Sequence, residues 1–238
     1  MNKKEVFKHY SEILDNLIDN SDFFKIYFQE CYTLEEDMEI TDSLSLCTGL
    51  SRGCLVDKNY DYVVKFDIDV NYCGTCNNEI NIYENAKYNH VEKFFTQPMY
   101  LGTYIKSFDS YVLKDVIETI DSWYSEDDFY SKFSAVEENC DKQNVTIALK
   151  LFAYPRANTQ SISSFTSYTI EDEEYAENST SPLREYNLAI AAAFIADYGT
   201  EEYNQLTEFL YDWNINDIHL DNIGELNNHI CIIDYAGV

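Results

Sequence analysis

Between Leu44 and Asp69 the chain reads "LSLCTGLSRGCLVDKNYDYVVKFDID", and no other stretch constrains the fold as tightly. Apolar and polar residues alternate around glycines at 49 and 53, "DKNYD" supplies a turn, and the β-rich "YVVKFDI" follows. Alternation at a period of two sends successive side chains to opposite faces, so this stretch buries its apolar half only as strands of a sheet. The pattern predicts a hairpin feeding a third strand, or the second half of a longer one.

What flanks it has a different period. Val6, Tyr10, Ile13, Leu14 and Leu17 recur at helical spacing near the start, and "SDFFKIYFQECY" reads as a second helix or a strand. After the sheet segment, "NNEINIYENAKYNHVEKFF" returns to helical spacing, with Ile80, Tyr83, Ala86 and Val91 on the buried side and Glu79 near its beginning. "MYLGTYIKS" and "DSYVLKDVI" then read as two strands joined tightly at "FD". The first half is thus strand, strand, helix, strand, strand, with helices in front.

The second half is less regular. "DSWYSEDDFYSKFSAVEEN" is helical or irregular, "NVTIALKLFAYP" is β-like or a short buried helix, and residues 157–181 form a Ser/Thr-rich loop. Ser181 caps a helix with Pro182 in its first turn, and "LREYNLAIAAAFIADYG" is apolar almost all round, which predicts a buried helix stopped by Gly199. Thr200 opens another helix, with Tyr203, Leu206, Phe209, Leu210 and Trp213 on one face.

Composition excludes several classes of function. With 238 residues, 45% of them hydrophobic, the chain can bury a sizeable core. No apolar run approaches the roughly 18 to 20 residues that span a bilayer, and the amphipathic start lacks the apolar centre of a signal peptide. The reading is of a soluble, cytoplasmic protein. Seven cysteines, an odd number, do not form the framework of a small secreted domain. Cys73 and Cys76 have metal-ligand spacing, but zinc needs two further ligands, and His9, His90, His219 and His229 are scattered singly. A formal charge of −27 argues against direct binding to nucleic acid or membrane, and it attracts basic partners.

The end of the chain carries the chemistry. "DIHLDN" runs from Asp217 to Asn222 and "IIDYAG" from Ile232 to Gly237. "NDIHLDNIG" reads as a loop, "ELNNH" as a turn and "ICIID" as a short strand, so Asn222 and Asp234 come to one end of a hairpin. One amide oxygen and one carboxylate, completed by phosphate and water, suit magnesium. The bland alternative is a capped turn and a strand-end acid.

Asp, four residues, Asn, a short hairpin and an apolar strand ending in Asp-aromatic-x-Gly resembles the catalytic and metal-binding loops of the protein-kinase-like fold. That fold includes the aminoglycoside and choline phosphotransferases. Upstream, "TGLSRGCLV" is similar to a degenerate nucleotide-covering loop, "YVVKF" to the strand whose lysine meets the α and β phosphates, and Glu79 stands where that lysine's partner is expected. The likeness runs from Leu44 to Val238 and is nearest to the small kinase-like proteins of bacteriophages.

The resemblance implies an α+β, bilobal fold: an N-terminal helical extension (1–43), an antiparallel-sheet N-lobe (44–115) and a truncated, mainly helical C-lobe (116–238). It implies ATP and Mg2+ as cofactors. Gly49, Ser51, Arg52, Gly53, Lys65 and Glu79 would bind nucleotide, Asn222 and Asp234 would hold metal, and Asp217, with Lys65, would be catalytic. The acceptor would be a hydroxyl of a protein or a small molecule, and the same ligand set serves transfer of AMP. The departures are the missing arginine before Asp217, where Ile215 and Asn216 stand, a loop with two glycines rather than three, and a chain that stops four residues after Asp234. These departures and the acidity support a second reading, a non-catalytic kinase-like protein that binds a basic or DNA-binding host protein as a phage antagonist.

Overall fold

A computed structural model describes residues 2–20, 23, 38–48, 52–67, 75–109, 112, 144–159, 188–215, 218 and 220–235. The expectations for most of 21–32, for most of the strand expected at 109–117, for 121–139, for most of the 157–181 loop, for the Ser181 cap and for Cys73 lie outside these residues, as do Gly49, Ser51, Asp217 and His219. The described chain is α+β, with an antiparallel six-stranded sheet, a separate two-stranded sheet and four α-helices. It divides into two compact units: Met1–Cys76 with Met99–Tyr154, and Asn77–Pro98 with Pro155–Val238.

The first unit is built on the large sheet. Its strands are β1 (Met38–Thr41), β2 (Leu44–Thr48), β3 (Arg52–Asp57), β4 (Tyr62–Asp67), β5 (Met99–Asp109) and β6 (Asn144–Pro155), in the spatial order β1-β2-β3-β4-β6-β5. The alternation seen from Leu44 onward does form successive antiparallel strands, with Leu46 opposite Leu55 and Leu55 opposite Val64. One face of this sheet meets helix α1 (Lys3–Asp19), whose Val6, Tyr10, Leu14, Leu17 and Ile18 are buried. The helix starts at a capping box: the Asn2 side chain accepts from the N–H groups of Lys4 and Glu5, and Glu5 accepts from the Asn2 N–H. Tyr104 then donates its hydroxyl to Asp15 at 2.8 Å, and the Lys106 ammonium reaches Asp15 and Asp19 at 3.1 and 2.8 Å, tying α1 to β5.

The strand pairing at β5 corrects the expectation of a tight turn at "FD". Phe108 and Asp109 continue the strand, β5 is an edge strand, and its one neighbour is β6, with Met99 opposite Ala153 and Asp109 opposite Asn144. Alternation identifies a strand but not its partner, and a partner this far along the chain leaves no local mark. "NVTIALKLFAYP" is accordingly strand β6 rather than a helix.

The second unit holds helix α2 (Thr75–Tyr88) beyond Cys76, helices α3 (Leu188–Tyr198) and α4 (Thr200–Asp212), and the hairpin of β7 (Ile223–Leu226) and β8 (His229–Ile232). Helix α2 ends earlier than its apolar spacing implies. His90 takes a φ of 62°, the Val91 N–H caps the Ala86 carbonyl at 2.9 Å, and a short 3₁₀ turn at Glu92–Phe94 follows. Helix α3 buries Ile190, Ala193 and Phe194 but leaves Ala192 and Ala196 exposed, so it is one-sided rather than buried all round. Alanine is tolerated on either side of such a boundary, and this is why its run misleads. Gly199, at φ 92°, separates α3 from α4, whose Tyr203, Leu206, Phe209 and Leu210 are buried as their spacing predicts, whereas Trp213, expected on the same face, caps the helix end and is exposed. Among the described residues no helix is long and apolar enough to cross a membrane.

Candidate functional site

The β7–β8 hairpin turns through Asn227 and Asn228, both at positive φ (56° and 64°), a conformation that asparagine tolerates and that suits a two-residue hairpin turn. Its register sets Ile223 opposite Ile232, so Asn222 and Ile233 stand together at the open end, where the Ile233 N–H donates to the Asn222 carbonyl at 2.8 Å. Asn222 and Asp234 thereby share one end of the pair, each half-buried.

The chain on both sides of Asp234 is tied down. The Ile232 carbonyl accepts from the Thr96 N–H at 3.0 Å. One residue beyond Asp234, the Tyr235 N–H donates to Glu79 Oε1 at 3.1 Å, and the Tyr235 hydroxyl donates to the Thr96 carbonyl at 2.8 Å. The Tyr235 ring packs edge-on against Phe95, 4.9 Å between centroids. Glu79 is fully buried. A carboxylate withdrawn from water is costly unless it is hydrogen-bonded, and a backbone N–H aimed at it forms one of the stronger, charge-assisted bonds. The second unit therefore gathers Glu79, Asn222 and Asp234, three of the residues singled out from the sequence.

The first unit holds the others that are described. In β3 and β4, Leu55, Val64 and Phe66 face the α1 side of the sheet, and Cys54 and Lys65, which are cross-strand partners, face the opposite side. Lys65 is nonetheless only 7% exposed, and its ammonium lies 4.7 Å from the centroid of the buried Tyr154 ring. Such a cation–π contact holds a lysine in place for roughly 1 to 2 kcal/mol when desolvated. Arg52 opens β3 opposite Asp67. Asp67 accepts from the Cys76 N–H at 3.1 Å, in the first turn of α2.

Gly53 faces the core side. A Cβ added there would sit 2.5 Å from ring atoms of Phe66, which is itself fully buried. The absence of a side chain at 53 thus has a packing cause, whatever else the glycine does.

For Asp217 only the surroundings are described: Ile215 and Ile218, both buried, belong to the core of the second unit. Sequence reasoning missed Tyr235, Thr96 and Tyr154. Tyr235 acts through its backbone N–H, which every residue carries, and Tyr154 matters only once β6 is known to lie beside β4.

Burial also shapes the ionisation of this hairpin. The Cys231 thiol, on β8, is pushed up to about 12 by burial, from an ordinary value of 9.0. Tyr198, whose hydroxyl donates to the Ile230 carbonyl at 2.8 Å, is also raised, by burial first and then by Asp197 and Cys231. The folded state holds the Cys231 proton over a range in which the unfolded chain has lost it. This contribution is fully present below pH 9 and is lost as pH rises toward 12, at up to about 1.4 kcal/mol per pH unit. Denaturant titrations from pH 8 to 11 should show the stability gap between the parent and Cys231→Ala narrowing above pH 9. A gap independent of pH would contradict it.

Among the described residues no cluster of three or more His, Cys, Asp or Glu is placed to hold a metal ion. Asn222 and Asp234 offer a different donor set, one amide and one carboxylate at a shared hairpin end. Hard oxygen donors of this kind, few in number, fit a magnesium ion that keeps most of its remaining positions for phosphate and water. Compared with known proteins, the sequence matches no family model and no curated protein.

Proposed function

We propose that the protein is a phosphotransferase of kinase-like fold that uses ATP and magnesium. The observation that carries the reading is the hydrogen bond from the Tyr235 N–H to the buried Glu79 carboxylate. It fixes the residue after Asp234 to the helix that bears the acid expected near the nucleotide. The order of elements also supports it: a hairpin, a lysine-bearing strand, a helix with a buried acid, then two paired strands.

In this reading Asn222 and Asp234 would hold magnesium, which when bound neutralises phosphate charge as it moves to the acceptor. Lys65, kept in place by Tyr154, would neutralise further phosphate charge, and Arg52 at the start of β3 would add to it. Gly49, Ser51 and Gly53 would belong to the nucleotide-covering loop, with the glycine at 53 already required by the Phe66 ring. Glu79 keeps the Asp234 segment in position. Asp217 accepts or orients the proton of the attacking hydroxyl, which belongs to a protein or a small alcohol. The metal is needed for a further reason: ATP carries about four negative charges and the protein a net −27, so unneutralised nucleotide is repelled.

A thermal melt tests this directly. ATP with magnesium at about 100 times the dissociation constant should add about 2.7 kcal/mol, a rise of roughly 5 to 10 °C for a chain of this size. ATP alone should give little, and Lys65→Ala or Asp234→Ala should abolish the rise. Equal shifts with and without magnesium would contradict it.

The charge of −27 favours a second reading, a non-catalytic protein that binds a basic or DNA-binding host protein, as a phage antagonist would. A pull-down from host lysate that survives Lys65→Ala and is lost at high salt would favour it.

A further inference from the structure

We propose that Cys47 and Cys54 form a reversible disulfide across β2 and β3, making this strand pair a site of thiol oxidation. The two residues are direct partners in the antiparallel register. Both lie on the face away from α1, since their neighbours Leu46 and Leu55 are the ones in the core. Both are part-exposed, whereas Cys76 and Cys231 are buried. Among the described residues, then, the two cysteines within reach of a soluble oxidant are each other's cross-strand neighbours.

The register specifies what kind of bridge they would make. The Lys58 N–H donates to the Ser43 carbonyl at 2.7 Å, which makes Ser43 and Lys58 a hydrogen-bonded pair. Such pairs alternate along an antiparallel ladder, so Ser45 with Val56 and Cys47 with Cys54 are hydrogen-bonded pairs too. Cα atoms in these pairs are about 5.5 Å apart, within the span that a disulfide bridges. The Cβ atoms, however, are about as far apart as the Cα atoms, and a disulfide draws them to about 3.8 Å. The strands must twist locally to close it. A strained, part-exposed bridge is of the labile, readily reduced kind rather than the permanent kind.

The oxidant is a small disulfide such as oxidised glutathione. One cysteine thiolate attacks a sulfur of it, forming a mixed disulfide and releasing one glutathione thiol. The second cysteine thiolate then attacks the protein sulfur of that mixed disulfide and releases the other. The two cysteines lose two protons and two electrons, and the small disulfide is reduced to two thiols. This inference is independent of the nucleotide reading.

Folded, full-length protein is incubated with oxidised glutathione, free thiols are blocked, and tryptic peptides are analysed by mass spectrometry without reduction. Trypsin cleaves after Lys25, Arg52 and Lys58, so the bridge joins residues 26–52 to 53–58, and fragmentation of the linked pair distinguishes Cys47 from Cys31, which lies on the same peptide. The expected result is that linked 47–54 peptide dominates over other pairings, and that millimolar reduced glutathione removes it. Cys47→Ser or Cys54→Ser should leave a persistent glutathione adduct on the remaining cysteine, and protein oxidised in urea should lose the preference for this pair. The proposal is overturned if the parent carries lasting adducts on both cysteines, if neither reacts, or if the bridge resists millimolar glutathione.

Discussion

Replacing Asp234 by alanine is expected to lower transfer of labelled phosphate from ATP by on the order of 10²- to 10³-fold, with the far-UV spectrum retained. The fold should survive because the segment around Asp234 is held by groups other than its side chain. Thr96 binds the Ile232 carbonyl, Asn222 binds the Ile233 N–H, and Glu79 binds the Tyr235 N–H. Removing the carboxylate takes away a metal ligand and leaves this frame in place, so the loss should fall on turnover rather than on folding. Filter-binding assays of parent and variant, with magnesium varied, give the comparison. Transfer that is unaffected in the variant would remove Asp234 from the chemistry.

Phe94→Ala should cost about 3 to 5 kcal/mol of stability, a large part of the 5 to 15 kcal/mol that holds a typical domain. Phe94 is fully buried, and its ring meets Tyr198 edge-on at 4.7 Å and Phe194 at 5.9 Å. It closes the 3₁₀ turn directly before Phe95 and Thr96, the residues that engage Ile232 and Tyr235. The cavity should therefore loosen the Asp234 segment as well as the core. Urea titration reads the stability loss, and Phe94→Leu, which returns most of the volume, should cost less. A loss below about 1 kcal/mol for the alanine variant would mean that the site collapses around the gap.

Elements specified by short-range rules were legible in the sequence. Helix α1 was, through the spacing of Val6, Tyr10, Leu14 and Leu17, and so were β2 to β4, through alternation broken by turn residues. Of the β7–β8 hairpin, the tight connection and the second strand were legible, whereas Ile223–Leu226, which reads as loop and turn, is strand β7. Pairings between distant segments were not legible. Nothing local to "MYLGTYIKSFD" indicates that β6 is its partner, and the burial of Lys65 beside Tyr154 depends on β6 lying next to β4.

The candidate site divides along the same line. Residue type and spacing single out Asn222 and Asp234, and the kinase-like resemblance adds Glu79. Their convergence runs through backbone groups of Ile232, Ile233 and Tyr235, which carry no side-chain signature. The Gly53 position shows the reverse hazard: a glycine that fits a nucleotide-covering loop is already required by the Phe66 ring.

The most direct measurement is a crystal structure of the protein with a non-hydrolysable ATP analogue and manganese in place of magnesium, with the metal located by its anomalous scattering. An anomalous peak bonded to the Asn222 amide oxygen and an Asp234 carboxylate oxygen is expected, with phosphate oxygens completing the shell. Nucleotide bound with its metal away from both residues, or no bound metal at saturating analogue, would contradict this assignment.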